Sequence, residues 1–151
     1  MKHHQARYLG EVSRKHRLPT RPELDQYFLS NATKARRLIA AARLSPDDRV
    51  VELGAGIGSF ARHLPACRCL TLVELDPELA RLLRDRFPQV RIIQADALSA
   101  LPSLEFDVLF GNLPFFLTVP IVNILKDMQF RAAVMSVRAD EELVTAAPLR
   151  V

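Results

Sequence analysis

Val50-Val51-Glu52-Leu53-Gly54-Ala55-Gly56-Ile57-Gly58 is the stretch from which the rest of the chain is read. A short apolar run carries an acid near its end, and three glycines then follow at alternate positions. That pattern describes a buried strand entering a turn where the backbone comes close to a ligand. Glycines there accept positive φ and present no Cβ, so a nucleotide-like group can lie against bare main chain. A glycine loop alone is weak, and its spacing is G-x-G-x-G rather than G-x-G-x-x-G. The acid downstream strengthens it. Glu74 ends a second apolar strand (70–74), ~20 residues beyond the loop, where a carboxylate can accept the hydroxyls of a ribose.

The same alternation continues outward from these two strands. Strands are predicted over 49–53, 70–74, 90–94, 106–111 and 132–137. Helices are predicted from Ser30 or Asn31 with a buried face of Ala35, Leu38, Ile39 and Ala42, and briefly over 59–64. A third follows Asp76 as its cap, with Pro77 in first position and Leu79, Leu82, Leu83 and Phe87 inward. Two more are predicted over 119–126 and 140–147. Strands alternating with helices imply right-handed crossovers and a parallel sheet. The predicted fold is therefore an α/β, Rossmann-like, doubly wound parallel sheet. Loop residues at the C-terminal ends of strands one to four are the candidate site.

At 151 residues, 49% hydrophobic and 25% charged, the chain has the balance of one globular domain. No run reaches the ~20 apolar residues of a membrane span, and the start lacks a secretory h-region, so a cytoplasmic protein is expected. Cys67 and Cys69 stand alone as a pair too close to bridge and too few for zinc, so neither disulfide nor metal is expected. The net charge of +4 is concentrated. Lys2, Arg7, Arg14, Lys15, Arg17 and Arg21 face only Glu11 among the first 21 residues. Residues 1–24 are accordingly read as a basic arm with one short helix (5–16), and residues 25–151 as the folded domain.

Five short signals then occur in order: D-Q-Y-F-L (25–29), V-E-L-G-A-G-I-G (51–58), V-E-L-D (73–76), Q-A-D-A-L (94–98) and G-N-L-P-F (111–115). Together they resemble the class I S-adenosylmethionine methyltransferases. More narrowly, they resemble the ribosomal RNA adenine N6-dimethyltransferases of the KsgA and Erm type, over about residues 25–137. The resemblance implies a sheet of order 3-2-1-4-5, stopping here after its fifth strand, and S-adenosyl-L-methionine as cofactor. Gln26 and Leu29 would border its methionine end, Gly54 and Gly56 would face it with backbone, and Glu74 would hold the ribose beside Leu75. Asp96 would accept from the adenine amine with Ala97 along the ring. Glu52 would reach toward the sulfonium or simply support the loop. Asp76 reads as a helix cap.

Asn112, Leu113, Pro114 and Phe115 would carry the chemistry, with Asn112 also touching the cofactor. The N6 amine of adenine is a poor nucleophile because its lone pair is delocalised into the ring. A side-chain amide oxygen and a main-chain carbonyl accepting its two hydrogens favour a pyramidal nitrogen. Pro114 stiffens the turn, and Phe115 stacks on a base swung out of its helix or loop. The implied partner is RNA, held through the basic arm. Two other readings stay open: a non-catalytic RNA-binding assembly factor, and an N-methyltransferase of DNA or protein. Departures from the family are Asp25 for glycine, Phe115 for the commoner tyrosine, and Phe116-Leu117 for a more polar pair. The last two strands and the helical C-terminal domain of the family are also missing. The apolar fifth strand is then an open edge, and either self-association or coverage by the terminal segments is expected.

Overall fold

The computed structural model describes residues 32–136 and 144–146. Five strands run parallel: β1 (Arg49–Leu53), β2 (Cys69–Glu74), β3 (Arg91–Gln94), β4 (Val108–Asn112) and β5 (Ala132–Ser136). A sixth, β6 (Val144–Ala146), is antiparallel to β5, and the full order is β3-β2-β1-β4-β5-β6. The order over the first five strands is the expected one. The basic arm, its short helix, the helix-capping pair Ser30 and Asn31, and the site residues Gln26 and Leu29 lie outside the described residues.

β6 corrects two expectations. The sheet does not stop at its fifth strand, and Val144–Ala146 is strand where a helix was predicted over 140–147. The edge of β5 presents unpaired amides and carbonyls, and β-branched Val144 and Thr145 suit a strand. Main-chain pairing of Ala133 with Ala146, Val134 with Thr145 and Met135 with Val144 uses that edge. Coverage by a terminal segment, the second of the two expected outcomes, is what the structure shows over these three residues.

Side chains alternate along each strand, so the sheet buries two faces. On one, Val50, Val108, Phe110 and Val134 pack with Ala35, Leu38, Ile39 and Ala42 of α1 (Ala32–Ala42), and Phe60 stacks on Phe110 at 5.2 Å. Leu72 on the same face meets Leu83 of α2 (Pro77–Arg86). On the other, Val51, Leu53, Val73 and Leu109 pack against α3 (Ala97–Ala100), the 3-10 turn Leu101–Ser103, and Ile121 and Leu125 of α4 (Thr118–Leu125). The result is a sheet between two helical layers, with its loops left at the two ends of the strands.

Local sequence explains where elements begin and stop. Asp76 caps α2 by accepting from the amides of Glu78 (2.8 Å) and Leu79 (3.3 Å), with Pro77 first in the helix. The helix predicted over 59–64 is a single 3-10 turn, Ala61–His63, because Pro65 follows at once. β4 starts at Val108 rather than at Phe106. The Asp107 side chain binds Arg49, accepting from its amide (2.7 Å) and from both Nε and Nη2 (3.1 Å each), while the Asp107 amide donates to the Arg49 carbonyl (2.9 Å). That pairing holds the Asp107 carboxyl below the usual carboxylate range.

Candidate active site

The C-terminal ends of β3, β2, β1 and β4 lie side by side, since Leu53 is in register with both Val73 and Gly111, and Glu74 with Gln94. Four strands at ~4.8 Å spacing make a rim about 15 Å wide. Along it the candidate residues fall in the spatial order Asp96, Glu74, the glycine loop, Asn112.

The glycine loop is shaped by left-handed backbone and by two buried carboxylates. Gly54, Gly56 and Gly58 have φ of 65°, 58° and 80°. At Gly54 a second constraint acts, because an added Cβ would stand 2.3 Å from Cδ2 of Leu113. The loop after β1 and the turn after β4 are therefore in direct contact. Nothing in the local sequence of either signals this, since the two residues are far apart in the chain.

Glu52 is wholly buried and accepts from the amides of Phe60 (3.3 Å) and Ala61 (2.9 Å). Through these bonds Glu52 anchors the turn that follows the loop. Burial pushes its carboxyl up to about 8, against the pull of the two amides. Glu74, 7% exposed, accepts from the amide of Gly56 through Oε2 (2.7 Å) and from that of Asp76 through Oε1 (2.9 Å). Burial raises its carboxyl too. One carboxylate thus joins the loops after β1 and β2. Each oxygen has two lone pairs, so each keeps capacity for a further donor. Leu75, between Glu74 and Asp76, is 48% exposed on the rim.

Asp96 caps α3, its Oδ2 accepting from the amide (2.9 Å) and hydroxyl (3.0 Å) of Ser99. Its place on the rim is fixed from the neighbouring strand, because the amide of Ala95 donates to the carbonyl of Glu74 (3.1 Å). Ala97 is buried in the core at the start of α3. Asn112 ends β4 opposite Ser136 of β5. Leu113 packs partly into the core, and the Pro114 carbonyl accepts from the amide of Leu117 (2.9 Å), closing a 3-10 turn over Phe115–Leu117. Sequence reasoning passed over the exposure at this turn. Phe116 (59%), in this turn, and Val119 (66%), in the first turn of α4, lie three residues apart, and with Leu75 they are the exposed large hydrophobic residues of the described chain. The substitution of Phe116 for a polar residue was the available signal.

The chemistry this rim offers is specific. It has carboxylate acceptors at Asp96 and Glu74, bare backbone between them and Asn112, and apolar side chains exposed at both ends. Among the described residues, no group of His, Cys, Asp and Glu is arranged to hold a metal ion. No helix there is long and apolar enough to cross a membrane.

Comparison with known proteins agrees with this geometry. The sequence model of the family described as ribosomal RNA adenine dimethylase matches residues 17–145. Ribosomal RNA small subunit methyltransferase A of Chlorobium chlorochromatii is 33% identical over 145 residues, covering 90% of this chain and 55% of the relative. The crystal structure of the 23S rRNA methyltransferase ErmE superposes with a TM-score of 0.65 at 33% identity, over 72% of this chain and 47% of that one. An RNA methyltransferase from Salinibacter ruber, solved with S-adenosyl-L-homocysteine, shares the fold with a TM-score of 0.60 at 21% identity, over 78% and 76%. The chain spans about half the length of the curated relatives it matches.

Proposed function

The chain belongs to the ribosomal RNA adenine dimethylase family, and from that premise we propose that it binds S-adenosyl-L-methionine along this rim and methylates N6 of an adenine in ribosomal RNA. The observation that carries the reading is the spatial order of the rim, Asp96, Glu74, glycine loop, Asn112. It matches the order of parts in an adenosyl group whose sulfur end points at a second base.

In this reading Asp96 accepts from the adenine amine of the cofactor, with Ala97 and Leu75 against the ring and sugar. Asp96 still caps α3, and the capping oxygen is the one engaged by Ser99. Glu74 takes the ribose hydroxyls with its remaining lone pairs. Gly54 and Gly56 let the backbone approach, while Gln26 and Leu29 border the methionine end. The cofactor supplies an electrophilic methyl group on a sulfonium. Asn112 Oδ1 and the Leu113 carbonyl accept the two N6 hydrogens of the target adenine, which turns the nitrogen lone pair toward that methyl. Pro114 holds the carbonyl in place, and Phe115 stacks on the flipped base and stabilises the positive charge that develops on it. The gain is chiefly alignment. The amine releases its proton to water after transfer. Residues 1–24 form the basic arm that lies on RNA phosphates, residues 25–151 the catalytic domain, and the enzyme works in the cytoplasm.

Transfer of labelled methyl from S-adenosylmethionine to total RNA, DNA and protein tests the proposal. Label in RNA that digests to N6-methylated adenosine is expected. Label in DNA or protein, or none in a preparation that binds the cofactor, overturns it.

A further inference from the structure

The opposite end of the strands carries a second concave surface. α3 is a single turn, so the sheet face bearing Val51, Val73 and Leu109 loses its helical cover toward the N-terminal ends of β1, β2 and β3. A groove of about 560 Å³ opens there. Register places its floor: Arg49 beside Cys69, Val51 beside Thr71, and Thr71 beside Arg91. These residues share one face of the sheet, because lateral neighbours in a parallel ladder point the same way. Arg68, Gln89, Ser103 and Glu105 complete the polar lining, Glu105 being the acid that pairs with Arg49.

The arginines of this groove differ in one respect. Arg49 is neutralised, its guanidinium held by Asp107 (3.1 Å) and Glu105 (3.2 Å). Arg68 and Arg91 have no carboxylate partner among the described residues, and both are exposed. Arg84 and Arg86 lie in the last turn of α2, the helix that precedes β3. Those two also suit the negative end of a helix, a reason that does not reach Arg68 or Arg91. Asp48, whose carbonyl accepts from the Arg68 amide (2.9 Å), is buried and its carboxylate is paired with Arg131. An open trough with spaced, unpaired guanidiniums, a threonine hydroxyl and an amide matches a chain of phosphates better than one compact anion.

We propose that this groove is a second RNA-binding site, in which Arg68 and Arg91 hold backbone phosphates of the same RNA whose adenine is presented at the other end of the sheet. The proposal rests on the reading of the chain as an RNA methyltransferase. The six residues of β2 separate the two sites by about 20 Å, the length of about six stacked nucleotides of one strand. A short RNA therefore reaches only the methyl-transfer site, and a longer one reaches both.

The test compares the full chain with its Arg68→Glu/Arg91→Glu and Arg68→Gln/Arg91→Gln variants, using an adenine-containing trinucleotide and an RNA of about 20 nucleotides. Both positions are exposed, and thermal unfolding verifies that the variants are folded. For the long RNA at low salt, affinity is expected to fall at least tenfold in the glutamate variant and less in the glutamine one. The salt dependence should flatten by about 1.4 to 1.8 log units per log salt for two lost contacts. Cofactor affinity and all behaviour toward the trinucleotide should be unchanged. Equal affinity of parent and variants for the long RNA overturns the proposal, as does an equal loss for the trinucleotide. Competition by adenosine monophosphate at the same concentration as RNA would make the groove a free-nucleotide site and overturn it too. Binding is read without turnover, so an absence of methyl transfer would strike the functional reading and leave this result interpretable.

Discussion

The loop after β1 and the turn after β4 sit in contact on the same rim, yet they are held in different ways. The first is fastened from below by buried carboxylates: Glu52 grips Phe60 and Ala61, and Glu74 ties Gly56 to Asp76. The second follows a strand end, closes on a backbone bond from Leu117 to Pro114, and leaves Phe116 and Val119 in solvent. Hydrogen-bonded, buried loops keep one geometry, while exposed apolar side chains await something to cover them. The contrast teaches a division of labour. On the proposed function, the half of the rim assigned to the cofactor is built in advance, and the half assigned to the target base is left to be finished by its substrate.

The sharpest way to break that division is at Asn112. Asn112→Ala should slow methyl transfer at least a hundredfold, about 2.7 kcal/mol of barrier, while S-adenosylmethionine binds nearly as before. Phe115→Ala should behave alike, and Phe115→Tyr should retain activity. Single-turnover rates paired with calorimetry read both quantities. Cofactor affinity falling in step with rate in both alanine variants would merge the two halves into one.

Glu74→Ala attacks the other side. It removes the proposed ribose acceptor and also releases the amides of Gly56 and Asp76. Cofactor affinity should drop at least tenfold, roughly 1.4 kcal/mol, and Asp96→Ala should cost less. Unchanged affinity in a folded Glu74 variant would remove Glu74 from the cofactor site.

How far the sequence discloses this rim depends on the range of the contact. The five parallel strands follow from alternating periods, their order from the family resemblance, and the Asp76-Pro77 cap from two adjacent residues, so all three were legible. Three other features depend on partners distant in the chain. Val144–Ala146 becomes strand because β5 offers an open edge, and a three-residue segment carries too little period to announce that. Leu113 meets Gly54 only once β1 and β4 are neighbours. The groove at the far end exists because α3 is short, which neither face of the sheet reveals alone. The bonds from the amides of Phe60 and Ala61 to Glu52 likewise span eight and nine residues, beyond what the local pattern discloses.

Glu52 gives the comparison a pH signature. Its carboxyl titrates near 8 in the folded chain against an ordinary value of 4.5. Across that window the unfolded chain has released the proton and the folded chain keeps it. Stability should therefore decline as pH rises from about 4.5 to about 8 and level off beyond. Glu74, raised in the same direction, adds to the decline. Glu52→Gln should flatten the profile of unfolding midpoint against pH. A parent whose midpoint rises steadily through this window would contradict the buried, protonated acid.

The smallest effect belongs to Phe116, and it sharpens the division most finely. The side chain is 59% exposed, so Phe116→Asn removes little packing and should leave the unfolding midpoint and cofactor affinity where they are. Its neighbourhood is the start of α4, directly after the turn that presents Asn112 and Leu113. Stacking of a base on an aromatic side chain is worth about 1–3 kcal/mol, and a partly exposed ring should contribute toward the lower end. The KM for RNA should accordingly rise several-fold with little change in kcat, because a base resting on Phe116 is bound equally in the ground and transition states. Phe116→Tyr should restore the parent value. A rise in KM accompanied by an equal loss of cofactor affinity would mean that Phe116 belongs to the prebuilt half of the rim, and the line between the halves would have to be drawn further along α4.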